Sequence, residues 1–412
     1  MSQRDAHKWL FFLACLLMHV RFDIVGSVSI TEIVVLLFAP RLLVWMTRSD
    51  IPHLKSISWW WGLMFVFQCV SEFVVNNSFH NAARGLMVTV MAYLLFLFFL
   101  RLLSQNVGLI IYGVAAEIVA LILFGDQFGF AEDNEGSYFK FYIAPLVSYA
   151  VCFIVLRNSV ALRKYHALLF LLLGIFCMAG GSRSWGVDAL LTGLLLMIYR
   201  RNKNIKIRRL VPTLLIVACV FEAFYVFVYI PNIKKGEWGV PYNDVQMRLN
   251  DYSANPVDLL LTARYDFALS WKAFMEKPWF GHGAWAKDKT LQYAKLSYKK
   301  EQKPFHYSPS REYLIPFHSV LLSRGSSNGV FVFVIFVGIC VFYYAAAIRN
   351  FKGGLRQDAY LLFNILVSLQ QLFFGPAAQL KNVIALSFAL FMAIEYRKNK
   401  ELALVRSQEC TA

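Results

Sequence analysis

An all-α, polytopic integral membrane protein is the architecture to expect of this chain, on three grounds. Of its 412 residues 58% are hydrophobic and 16% aromatic, and the mean hydropathy is +0.52, more apolar surface than a water-soluble domain can hide. Apolar runs of spanning length, or nearly so, recur along it, each closed by charge or by turn residues. Basic residues collect in alternate connections between those runs, as in a chain threaded back and forth through a bilayer.

The runs fall at residues 9–20, 24–46, 57–75, 85–103, 107–125, 141–156, 166–182, 185–200, 210–230, 329–348, 359–375 and 382–396, about twelve helices in all. The first follows Arg4 and Lys8 as a signal sequence does, but the HVRFD after it offers no small-residue cleavage site, so a retained helix is expected. Arg48 and Lys55 separate the second run from the third, which opens on the interfacial triplet Trp59-Trp60-Trp61. The fifth and sixth are parted by the acidic loop Gly125 to Lys140, the sixth and seventh by Arg157, Arg163 and Lys164, and the seventh and eighth by the GGSRS turn at 180–184. The cluster RRNKNIKIRR (Arg200 to Arg209) precedes the ninth run. Arg349, Lys352 and Arg356 follow the tenth run, and Arg397, Lys398 and Lys400 the last.

That alternation places both termini in the cytoplasm and turns the acidic loop, the GGSRS turn and a large polar segment at 231–328 outward. It also accounts for the net charge of +16, so no nucleic-acid partner is needed. Cys15, Cys69, Cys152, Cys177, Cys219 and Cys340 lie in apolar runs and Cys410 in the tail, with no spacing that implies an outer disulfide or a metal cluster. Without repeats, inverted halves or a low-complexity linker, residues 1–412 read as one integral domain, and the loop 231–328 carries most of its chemistry.

Arg183, in GGSRSWG, is either an interfacial arginine reaching for water or an anion clamp. Its glycines leave backbone N–H groups approachable, and Trp185 begins a helix whose positive end faces the same water. Arg264 opens a segment in which Phe267, Trp271 and Phe274 share one helix face and which ends at KPWFGHG, where Pro278 and the glycines force a return. The plain alternative pairs Arg264 with Asp258 or Asp266. Arg248, Arg311 and Arg324 keep the loop basic, as a phosphate-bearing lipid requires. His318, after Pro316-Phe317, has the chemistry of a base that accepts a hydroxyl proton, and His282 and His306 compete on equal terms. The acidic residues Asp126, Glu132, Asp133 and Glu135 are spaced as a solvated loop rather than a cation cage, and no metal site is expected.

Three segments, taken together, resemble the O-antigen ligase and Wzy-type polysaccharide polymerase superfamily of bacterial envelope proteins. They are SRS at 182–184, RYDFALSWKAFMEKPWFGHG at 264–283, and HSVLLSRGSSNG at 318–329. The resemblance covers the second half of the chain; the first half matches only in hydropathy.

The resemblance implies a GT-C-like membrane enzyme that performs metal-independent, inverting glycosyl transfer on the outer face of the bacterial inner membrane. The donor would be a glycan on undecaprenyl diphosphate, and the acceptor a sugar hydroxyl on lipid A-core or on another lipid-linked repeat. By matching position Arg183 and Arg264 would bind the diphosphate, with Arg248, Arg311 and His282 as weaker candidates, and His318 would orient or deprotonate the acceptor. No cofactor is implied, because the donor already carries the energy. The sequence departs from the family at Ser319, where asparagine is commoner, and the acidic loop has no family role. A polymerase is the close alternative. A lipid-linked glycan transporter would put charge inside helices and show repeats, and a non-catalytic assembly partner would leave His318 replaceable.

Overall fold

The computed structural model describes residues 3–23, 27–125, 138–157, 164–201, 227–228, 230–235, 265–300, 305–309, 312–315, 319–351, 358–376 and 379–409. Its helices are α1 (Gln3–Leu17), α2 (Ile30–Leu37), α3 (Ala39–Arg48), α4 (Leu54–Val74), α5 (Phe79–Gln105), α6 (Ile110–Phe124), α7 (Ala144–Arg157), α8 (His166–Ala179), α9 (Arg183–Arg201), α10 (Ile230–Lys234), α11 (Tyr265–Glu276), α12 (Gln292–Lys300), α13 (Val320–Phe351), α14 (Asp358–Phe374) and α15 (Ala385–Glu409). One antiparallel pair, β1 (Arg21–Asp23) with β2 (Ser27–Ser29), is the only named sheet among the described residues. The protein is therefore an all-α membrane protein. Among the described residues five helices are long and apolar enough to cross a membrane, or six with the bent pair α2–α3 counted as one span. Helices α8 and α14 are apolar but only 14 and 17 residues long. Of the expected run at 210–230, only residues 227–228 and 230 are described.

Two runs depart from expectation. Residues 27–46 form no single straight helix: a strand comes first, then two helices bent by 61°. The Ser29 side chain accepts from Glu32 N–H while the Glu32 carboxylate accepts from Ser29 N–H, a capping box that starts α2 at Ile30. Pro40, in the first turn of α3, cannot donate, so the chain restarts a helix there instead of continuing one. The tenth run begins nine residues before its expected start at 329, since α13 already runs from Val320 and breaks at Gly329 (φ 82°, ψ −176°).

The chain divides into two compact units. The first comprises residues 1–120, 266–297 and 305–412. Its core is aromatic: Tyr343 of α13 stacks on Phe388 of α15 at 4.1 Å, meets Phe96 of α5 edge-on at 5.3 Å, and receives the Trp61 indole N–H of α4. A buried ion pair, Lys381 to Glu32 at 2.7 Å, ties α2 to the π turn Leu380–Ile384 that leads into α15, and Lys381 also donates to Ser27 O. Those extra hydrogen bonds offset the desolvation of both charges. In the second unit, residues 121–265 and 298–304, α8 and α9 lie close because Gly174, Gly186 and Gly193 face the partner helix. A Cβ at Gly174 would sit 2.4 Å from Leu190, the small-residue contact by which membrane helices approach.

Candidate functional site

The best-defined polar assembly lies in the first unit, where the return after α11 meets the break in α13. Phe274 of α11 is 6% exposed, with its ring 5.2 Å from Phe333 and against Gly325, where an added Cβ would come within 2.9 Å. The helix stops at Glu276, and Pro278 cannot continue it. The chain then turns back with Gly281 and Gly283 at φ +69° and +87°, values that side chains other than glycine rarely adopt.

This return is laced to α13 through the backbone. His282 N–H donates to Ser326 O at 2.9 Å, Gly283 N–H to Ser327 O at 2.8 Å, and Val330 N–H to Pro278 O at 2.7 Å. The helix break leaves these groups free to bond outside α13, which is why a polar stretch, SRGSSNG, can be buried. Both sides need glycine at the crossing. A Cβ on Gly329 would lie 1.9 Å from Trp279 O, and one on Gly281 would lie 2.4 Å from Ser327 C.

Glu72 at the end of α4 pins the crossing from a third side. It is 4% exposed, and its carboxylate accepts from Ala284 N–H at 3.0 Å, Asn328 Nδ2 at 2.8 Å and Asn77 Nδ2 at 2.6 Å. Asn77 Nδ2 also donates to Ala284 O, and Ser71 Oγ to Phe280 O. Sequence reading missed this residue. Its signal was a lone carboxylate within the apolar run 57–75, the kind of intramembrane charge that marks a site.

Around the crossing each polar group has a defined task. His282 donates through Nε2 to Ala273 O at 2.9 Å, holding the return against the end of α11. Burial, the largest influence, and Lys277 hold its pKa below the usual 6.5, against the opposing effects of Ala273 O and Glu276. Asp288, 4% exposed, caps α12 by accepting from the N–H groups of Gln292, Tyr293 and Ala294. Glu276 accepts from Tyr293 Oη and Gln292 Nε2. Burial raises its pKa, but these two bonds and the nearby cations outweigh that, and the net shift is downward.

Ser319, where the resemblance leads one to expect asparagine, is fully buried. Its hydroxyl accepts from Leu322 N–H at 3.1 Å and faces Leu372 O at 3.5 Å, so it caps the start of α13. Serine and asparagine are both good N-caps, which makes the departure chemically small. Arg324, expected in the outward basic surface, is instead 4% exposed inside the unit. It donates to Thr89 Oγ1 at 3.0 Å, and Thr89 donates on to Gln68 Oε1.

In the second unit, Arg183 is the first residue of α9. It follows a Schellman turn in which Ser182 N–H bonds to Cys177 O, Gly181 N–H bonds to Met178 O, and Gly181 takes φ +87°. The expected turn is thus present, and the half-buried Arg183 stands at a helix N-terminus. Arg248, Arg264, Arg311, His318 and the acidic loop around Glu132 lie outside the described residues. Of the residues expected to act, Arg183 and His282 are described, one in each unit. Among the described residues no group of three or more His, Cys, Asp or Glu side chains could hold a metal ion.

Fold and site together define a multi-pass, all-α membrane protein with a glycine-rich return locked onto a broken helix. Residues 168–337, from within α8 to beyond the break in α13, match the family model described as O-antigen ligase. Over this segment the chain is similar to the O-antigen ligase and Wzy superfamily. No curated protein matches it significantly.

Proposed function

We propose that the protein is an O-antigen ligase. It moves a glycan from an undecaprenyl-diphosphate-linked donor to a sugar hydroxyl of lipid A-core, at the periplasmic face of the inner membrane. The observation that carries this reading is the span of the family match, a single stretch of sequence that includes the SRS turn, the return after α11 and the broken start of α13. The topology that goes with it has about twelve spans, cytoplasmic termini and the loop 231–328 outside.

The acceptor hydroxyl attacks the anomeric carbon, the bond from that carbon to the phosphate oxygen breaks, and undecaprenyl diphosphate leaves with the electron pair. His318 takes the hydroxyl proton. Arg183 and Arg264 meet the charge that grows on the diphosphate, with Arg248 and Arg311 as further cations; preorganised groups of this kind supply a large part of catalysis. The position of Arg183 supports its role, because a helix N-terminus adds its own partial positive charge. His282 holds the return in place, since its Nε2 is bonded to Ala273 O.

The lipopolysaccharide profile of a deletion strain tests the reading. A ligase leaves core without O-antigen while lipid-linked glycan accumulates. Core capped by single repeats would instead make the protein a polymerase, and an unchanged profile would overturn both readings.

A further inference from the structure

Trp285, next to the Glu72-pinned Ala284, has an unusual backbone. Its φ is +54°, in the left-handed region that bulky side chains avoid. Such a conformation costs about 1–3 kcal/mol and persists where its surroundings over-determine it, most often at a functional site. Here the surroundings do so. Ala284 is held by Glu72 and Asn77, Asn81 Nδ2 donates to Trp285 O at 3.4 Å, and the following residues pair with 313–315 through Asp288 N–H to Tyr313 O and Ile315 N–H to Ala286 O. The Arg84 guanidinium lies 4.0 Å over one face of the indole. Trp285 itself remains 36% exposed beside this guanidinium.

The two backbone segments paired beside Trp285 carry charged and aromatic side chains. Lys287 pairs with Glu312 at 2.6 Å, and both are largely exposed. Tyr307, 62% exposed, stacks on Tyr313 at 6.0 Å, and the Tyr313 hydroxyl ties 305–309 back by accepting from Ser308 N–H and donating to His306 O.

We propose that Trp285, backed by Arg84, is a stacking platform for a pyranose ring of the glycan that the site handles. A sugar has one face of polarised C–H groups and a rim of hydroxyls. The C–H face suits the negative face of an indole, and the hydroxyls suit a surrounding ion pair. This rests on the glycosyl-transfer reading for the identity of the glycan, and the chemistry of the ring is common to donor and acceptor.

The test uses the purified full-length protein in detergent and two probes, delipidated core oligosaccharide and released repeat-unit oligosaccharide, with binding followed by saturation-transfer NMR. Wild type should bind at least one probe. Trp285→Ala should weaken that binding about three- to tenfold, and Trp285→Phe should keep most of it. The probe that responds identifies the platform as an acceptor or a donor subsite. No binding by wild type, or equal binding by wild type and Trp285→Ala, overturns the platform. If binding depends on Trp285 but the wild-type protein transfers no glycan, the platform stands and the transferase reading fails. If wild type transfers glycan and Trp285→Ala leaves the KM for both substrates unchanged, the platform alone fails.

Discussion

Removing the Glu72 carboxylate should release the return after α11 from the rest of its unit. In Glu72→Ala three donors, Ala284 N–H, Asn328 Nδ2 and Asn77 Nδ2, lose their shared acceptor. A buried donor without a partner costs about 1–3 kcal/mol. Asn77 keeps its bond to Ala284 O, so the loss should total roughly 2–5 kcal/mol rather than three full penalties. Glu72→Gln is gentler: it preserves shape and one acceptor oxygen but turns an N–H group toward a donor, a loss of about 1–3 kcal/mol. The opening is local, so tryptic cleavage at Lys287 and Lys289 reads it directly in the purified protein. When opening is fast, cleavage follows the open population. Glu72→Gln should then be cut about 5- to 150-fold faster than wild type, and Glu72→Ala faster still. Equal cleavage in all three proteins would refute the claim that this carboxylate holds the return.

Gly329→Ala and Gly281→Ala each put a Cβ against backbone atoms, 1.9 Å and 2.4 Å away, at positive φ. Both should sharply lower the yield of monodisperse protein on size exclusion, whereas Gly338→Ala, with open space around it, should not. Ser319→Ala removes the cap of α13 and should cost about 0.5–2 kcal/mol in thermal unfolding, with Ser319→Thr much closer to wild type. His282 should make the return acid-sensitive. Its folded pKa lies below its unfolded value near 6.5, so the open form binds more protons as pH falls through that range and stability is lost. Tryptic cleavage after Lys287, taken relative to an unstructured peptide substrate at the same pH, should rise between pH 7.5 and 5.5 in wild type, and this pH dependence should be missing from His282→Gln.

Five of the expected spans were legible because a bilayer demands a run of apolar residues of fixed length, and runs such as 57–75 and 85–103 met that demand. The bend between α2 and α3 was harder to read. Residues 24–46 are apolar on both sides of it, and the only marks were the Ser29–Glu32 box and Pro40. The helical start of α13 was hidden for the opposite reason, since SRGSSN reads as loop when the backbone of the return that neutralises it is 40 or more residues away in sequence. Local spacing did reveal the α11 face, its stop at Pro278 and the turn before Arg183. What spacing could not reveal was partnership: that Glu72 meets Ala284, that Arg84 covers Trp285, and that Arg324 turns inward to Thr89. These contacts join segments more than 200 residues apart.

The most direct test of the central claim is glycan transfer by purified His318→Ala with lipid-linked donor and core acceptor. General-base help is worth about 10²–10⁴-fold in rate. Turnover should fall by that order while donor binding, assigned to Arg183 and Arg264, stays near wild type, and His282→Ala and His306→Ala should lose far less. Near-normal turnover in His318→Ala would contradict the account, as would the joint loss of activity, donor binding and abundance in the membrane.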